Sequence, residues 1–276
     1  MGYPNFGQSN KYKFESRIII KMEFIDYAEI GFDAFCFSSK QPEVIRRKRE
    51  IIDSVNLHYN VNPESVLFVG FNPAMLSYDS KTKITVTHVS DHVLDWLKAK
   101  NPQISYLSWD HILPGEDKFD IVVAFDEFLT FARNEIEQQN NLTKICNLAK
   151  STVITTLRDY KNQSFKDREF SIPSVVKGDM EDRIYLEFHD YDEQDRNAWF
   201  RNVYEITGGN LRSFTGFNCR QMFFKQCAKF SIDAGAQDFL IHKNIMYKSL
   251  IKKNYEHVIS MRFFKNGRYQ SSRQYS

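Results

Sequence analysis

An α/β fold built on a mostly parallel sheet, with a C-terminal antiparallel hairpin and additional helices, is what the sequence predicts, and three observations predict it. Short apolar runs recur at intervals of roughly twenty or more residues. They are "SVLFVG" (65–70), "KITVTH" (83–88), "QISYLS" (103–108), "FDIVVAF" (119–125) and "STVITTL" (151–157). Helical or turn-rich stretches separate them, the pattern of strands joined by crossovers. After residue 180 the rhythm changes to "RIYLEFHDY" (183–191) and "NAWFRNVYEIT" (197–207), parted by an acidic turn, which predicts an antiparallel hairpin closing the sheet.

The elements follow in order. In "PEVIRRKREIIDSVNLHYN" (42–60), Val44, Ile45, Ile51, Ile52 and Val55 share one helical face with basic residues opposite, and Asn62-Pro63 bounds the helix. "SDHVLDWLKAK" (90–100) sets Val93, Leu94 and Leu97 at helical spacing behind a Ser90 cap. Residues 133–149 carry Ile136, Leu142, Ile145, Cys146 and Leu148 in the same manner. Further on, "NCRQMFFKQCAKFSIDAGA" predicts a helix ending near Gly235, "HKNIMYKSLIKKN" (242–254) a basic amphipathic helix, and "HVISMRFF" (257–264) a last strand. The polar ends predict mobile tails at 1–21 and 265–276, around a core at 22–207 and a C-terminal extension at 208–264 packed on it.

Composition narrows the classes. Of 276 residues 42% are hydrophobic, with 24 Phe and 14 Tyr, which supports an extended core and excludes a largely disordered chain. A net charge of +2 does not by itself indicate nucleic acid or a membrane surface as partner. No apolar run approaches the ~20 residues that span a bilayer. Cys36, Cys146, Cys219 and Cys227 lack CxxC spacing and read as reduced thiols, with a cytoplasmic location as the expectation.

The first strand ends in "ESVLFVGFNPAML" (64–76). In an open α/β sheet the first strand-to-helix turn comes nearest the ligand. Here one glycine, Gly70, is followed by Asn72, a strong helix cap, and Pro73, favoured in the first helical turn, so the turn is expected to deliver a helix N-terminus with free N–H groups. Phe71 either flanks a ligand or fills the core. His88 ends the second strand, "SWDHIL" places Trp109 and Asp110 after the third, and "AFDEFLTFA" places Phe125, Asp126 and Glu127 after the fourth.

This order of segments, from about residue 42 to 207, resembles a class I S-adenosylmethionine-dependent methyltransferase, a Rossmann-like fold. The resemblance implies S-adenosylmethionine as cofactor, held by Gly70, Phe71, Asn72, His88, Asp110 and Phe125, and methyl transfer to an acceptor the sequence does not identify. Asp110 matches the carboxylate that meets the adenine amino group in that family. The family's GxGxG run is reduced to Gly70-Phe71-Asn72-Pro73-Ala74, with Phe68 in place of an acid, and His88 stands where a carboxylate takes both ribose hydroxyls. A neutral imidazole can hold one hydroxyl; the lost charge-assisted bond costs about 1.5–3 kcal/mol, or roughly ten- to a hundredfold in affinity. No Asn-Pro-Pro-Tyr type motif follows the fourth strand, which weakens planar nitrogen as acceptor. Asp126 or Glu127 would serve as base where the acceptor must lose a proton, and Arg158, Asp159 and Tyr160 would contact substrate. The C-terminal third also resembles methyltransferase-like proteins of T-even tailed bacteriophages.

A rival from another class is a catalytically inactive Rossmann-like module kept for protein binding or assembly, its groove filled by Phe71, Trp109 or the C-terminal segment. A dinucleotide-dependent dehydrogenase is disfavoured by the missing second glycine and ribose-binding acid. His88 and His92 have helical metal spacing without a third ligand nearby, so no metal is expected. "EFHDYDEQD" (187–195) gathers acids around His189 and reads as a solvated hairpin turn, and the lysines of 242–254 as a solvated face, with nucleic acid the alternative partner.

Overall fold

The computed structural model describes residues 41–70, 72–78, 81–113, 115, 118–125, 128–158, 168–170, 174–177, 181–195, 197–242 and 256–263. The expected tails and most of the basic helix at 242–254 lie outside the described residues.

Helix α1 spans Gln41–Tyr59. Its Ile51, Ile52, Val55 and Tyr59 are buried, while the outer side carries the i,i+4 pairs Arg47–Glu43, Arg46–Glu50 and Arg49–Asp53. Such exposed pairs add only a few tenths of a kcal/mol each; the buried apolar stripe places the helix. Strands β1 (Ser65–Val69), β2 (Lys83–His88), β3 (Ser105–Ser108), β4 (Phe119–Ala124) and β5 (Ala149–Arg158) alternate with α2 (Asp91–Lys100) and α3 (Glu135–Leu148). Ser90 caps α2 by accepting from Val93 N at 3.3 Å, and Asn134 caps α3 by accepting from Glu137 N at 2.9 Å.

β1 to β5 pair in parallel, and the large sheet runs β11-β12-β5-β4-β1-β2-β3. β11 (Asp238–His242) and β12 (Glu256–Arg262) form its antiparallel edge, β12 lying antiparallel to β5 as well. The order reverses between β1 and β4, which makes their carboxyl ends the switch point of the sheet. Both faces are covered. Leu67, Val69, Val122, Ala124 and Val153 pack under α3 and α4 (Phe224–Asp233), and Phe68, Val86, Ile121, Val123 and Ile154 pack under α1 and α2.

β1 and β4 are fastened at their amino ends. Asp120 Oδ2 accepts from Glu64 N and Ser65 N, both at 2.9 Å, and from Ser65 Oγ at 3.1 Å, while Asp120 N donates to Ser65 Oγ at 3.0 Å. Burial alone would raise the Asp120 carboxyl; these donors, with Lys150 at 3.6 Å, outweigh it and lower it.

Four sequence expectations change. The strands at 183–207 do not close the parallel sheet. They are β8 (Arg183–Tyr191) and β9 (Ala198–Thr207) of a second, antiparallel sheet ordered β10-β9-β8-β6, with β6 (Arg168–Phe170) on its edge and β7 (Ser174–Val176) also on β8. The hairpin that does close the large sheet comes from 238–262, within the stretch read as an extension. The helix expected from Asn218 begins only at Phe224, because Asn210–Arg220 is β10, turned out of β9 by Gly208 (φ +55°) and Gly209 (φ +80°). Two successive left-handed residues make the two-residue hairpin turn whose twist suits antiparallel strands. Finally, β1 is followed by a single 3-10 turn, Pro73–Ser77, instead of a full helix.

No helix of the described residues is long and apolar enough to cross a membrane. Cys146, Cys219 and Cys227 are buried free thiols, and burial pushes the Cys227 thiol up to about 12.

Asp120→Ala removes three accepted bonds to a partly buried carboxylate and is expected to cost about 2 kcal/mol at neutral pH, read from urea unfolding. Because the folded-state pKa is lowered, the stabilisation is present above the unfolded value of about 3.9 and is lost as pH falls through the depressed folded value. The gap between wild type and variant therefore closes in acid; a gap that persists there contradicts the ionic origin.

Candidate cofactor groove

The switch point gathers several residues from separate segments. Gly70 follows β1 at φ +73°, where a side chain would be strained, and its N–H donates to Thr87 O at 2.8 Å, locking the exit of β1 against β2. Asn72 is 1% exposed and caps the 3-10 turn, its Oδ1 accepting from Ala74 N at 3.0 Å. That bond fixes the amide orientation and turns Nδ2 the other way, where it has no partner among the described residues. Thr87 Oγ1, one residue before the end of β2, is likewise buried and has no partner among the described residues. A buried polar atom left unsatisfied costs about 1–3 kcal/mol, so each of these two atoms would gain from a partner at the switch point.

His88 is 5% exposed, and its Nδ1 accepts from Ser90 N at 3.0 Å, ahead of α2. The neutral ring therefore carries its proton on Nε2, the nitrogen able to donate to a hydroxyl. Trp109 N donates to His88 O at 3.0 Å, which brings the end of β3 against the end of β2. Trp109 is held on two sides: its ring meets Phe128 edge-on at 5.3 Å, and Lys144 lies 4.2 Å from the ring centre while donating to Trp109 O at 2.6 Å. Burial lowers the Lys144 pKa and the charge of nearby Asp110 opposes that shift; the Asp110 carboxylate itself is exposed.

Gly70, Asn72, His88 and Asp110 thus lie along one edge, at the ends of β1, β2 and β3. Phe125 follows β4 but is buried in the core under α1, with Lys48 5.9 Å from its ring. Phe71, Asp126, Glu127, Asp159 and Tyr160 lie outside the described residues, and Arg158 is the last residue of β5. Among the described residues no group of His, Cys, Asp and Glu is placed to hold a metal ion. Sequence reading missed Thr87, Phe128 and Lys144. Thr87 is one more alternating residue in an apolar strand, and nothing local in α3 tells Lys144 from a solvated lysine.

The second sheet is tied to this edge. Gln138 of α3 is fully buried, and its Nε2 donates to Leu129 O at 3.2 Å, Arg220 O at 2.8 Å and Gln221 O at 3.2 Å. One amide thus clamps the end of β10 to the 3-10 turn after β4 (Phe128–Thr130).

No protein-family model matches the chain, and no curated protein matches it. Solved structures do. DesVI of Streptomyces venezuelae superposes with a TM-score of 0.64 at 14% identity, over 85% of this chain and 98% of that one. CalS10, a SAM-bound amino pentose methyltransferase from Micromonospora echinaspora, gives 0.61 at 9% identity, over 90% and 100%. The CcbJ methyltransferase from Streptomyces caelestis gives 0.60 at 14% identity, over 80% and 90%. The likeness establishes the fold: this is a Rossmann-like methyltransferase fold.

Replacing Gln138 by leucine leaves three carbonyls without their shared donor. We expect Gln138→Leu to lose about 1–3 kcal/mol and to speed proteolytic cleavage around 208–223 relative to wild type; unchanged stability and cleavage would show that the clamp is dispensable.

Proposed function

We propose that the chain is an S-adenosylmethionine-dependent methyltransferase acting on a small-molecule acceptor. The observation that carries this reading is the buried Asn72 Nδ2 at the exit of β1, which has no partner among the described residues, on the same edge as Thr87, His88 and Asp110. Asn72 supplies a donor suited to a carboxylate, His88 donates from Nε2 to one ribose hydroxyl, and Asp110 accepts from an adenine amino group. Gly70 keeps the backbone exit clear of a side chain, and Trp109, braced by Phe128 and Lys144, forms a flat apolar wall. Phe71 is proposed as a flanking residue. The bound cofactor would supply a methyl group activated on a sulfonium. Asp126 and Glu127, directly after β4, are proposed as acid–base groups.

The likeness to SAM-bound CalS10 supports this cofactor, and its being an amino pentose methyltransferase supports a small acceptor. A second reading, an inactive module kept for binding or assembly, is favoured by the single 3-10 turn and by His88, both of which weaken the groove. Titration calorimetry with S-adenosylhomocysteine separates the two. Wild type is expected to bind, Asp110→Ala to bind about tenfold more weakly, and His88→Asp about tenfold more tightly, since a carboxylate there can take both ribose hydroxyls. Absence of binding at millimolar ligand would overturn the enzyme reading.

A further inference from the structure

The acids around His189 do not form a uniformly solvated turn. In β8 and β9 alternate residues share a face, and the register sets Tyr191 against Trp199, His189 against Arg201 and Tyr185 against Glu205. This face is the covered one: Tyr185, His189, Tyr191, Trp199, Val203 and Glu205 are all buried, whereas Phe200 on the other face is 42% exposed. The Arg201 guanidinium lies 6.0 Å from the ring of Phe131, so the covered face meets the chain just beyond β4, at the carboxyl edge of the parallel sheet.

Three charged or polar groups meet there. His189 Nε2 is 2.5 Å from Glu187 Oε1, and Arg201 Nε donates to the same oxygen. Burial would raise the Glu187 carboxyl; the Arg201 charge and the bonds from His189 and Arg201 outweigh it and hold it well below the usual carboxylate range. Arg201 alone would balance that charge, so His189 is surplus to the ion pair. The imidazole is 8% exposed, and donating a hydrogen bond from Nε2–H to Glu187 leaves the lone pair on Nδ1, which has no hydrogen-bond partner among the described residues. A carboxylate holding one ring nitrogen while the other stays unpartnered is the arrangement of an oriented base.

We infer that the Glu187–His189 pair is a proton-accepting site for an amine-bearing acceptor, an inference that rests on the methyltransferase reading for its role. The chemistry selects the amine. An ammonium must lose a proton before its nitrogen can form a new bond, and an imidazole is close enough in basicity to take it outright, whereas an alkyl hydroxyl gives up its proton to an imidazole only in step with bond formation. In the step, the N–H bond breaks, its electron pair stays on nitrogen, and the proton passes to Nδ1 and thence to water. Glu187 is the positioning residue, and the rings of Trp199 and Tyr191 give the face an aromatic character that suits a cation.

The test uses the full chain with ¹⁵N-labelled histidine, the His189 signals being assigned by their loss in His189→Gln. The expected result is the tautomer protonated on Nε2, a shift of the His189 signals on adding glucosamine, and none on adding glucose. A ring protonated on Nδ1, or an equal or absent response to the two sugars, overturns the proposal. Calorimetry with S-adenosylhomocysteine on the same samples keeps the questions apart. Failure of wild type to bind it overturns the methyltransferase reading whatever His189 does, and normal binding with a silent His189 overturns only the base.

Discussion

The pairing of β1 with β4 is the constraint on which the rest of the structure depends, because these strands are adjacent in space but separated in sequence by β2, α2 and β3. That separation reverses the strand order and opens the edge where Gly70, Asn72, His88 and Asp110 collect. The amino ends are held by Asp120 and Ser65, and the middles by Leu67, Phe68, Val122 and Val123, all fully buried. Polar fastening at one end and apolar burial in between leave the carboxyl ends as the place where backbone turns away from the sheet.

The parallel strands were legible because strands covered on both faces must be apolar throughout, and "SVLFV" and "FDIVVA" are nearly so. The second sheet was legible as strands but not as a separate sheet. Alternation in "RIYLEFHDY" tells which residues share a face, not which strand lies alongside. β10 was missed because Phe217, Cys219, Met222, Phe223 and Phe224 fit a helical spacing as readily as an alternating one. The signal available was Gly208-Gly209, the dipeptide of a tight hairpin. The turn after β1 was read as the start of a helix from Asn72 and Pro73; both do cap a turn, but the chain leaves it at Tyr78.

Of the candidate groove, Gly70, Asn72, His88 and Asp110 were chosen by their stations at strand ends, and the strands they follow, β1, β2 and β3, are neighbours in the sheet. Phe125 stands at the right station but is packed into the core under α1, since strand-end position does not specify the direction of a side chain. Other charged contacts come from residues distant in sequence. Lys144 reaches Trp109 from α3, and Glu187, His189 and Arg201 become a cluster only when β8 and β9 pair. Such clusters are invisible to spacing, because a buried carboxylate is tolerable only when partners distant in sequence surround it.

The carboxyl edge of β1, β2 and β3 is proposed as a cofactor groove. Amide hydrogen exchange with and without S-adenosylhomocysteine tests it most directly. The account predicts slowed exchange confined to the exits of these strands, at residues 70–75, 88–90 and 109–111, with the amino-end contacts at 64, 65 and 120 unchanged. Protection elsewhere in the chain, or none at saturating ligand, would contradict it.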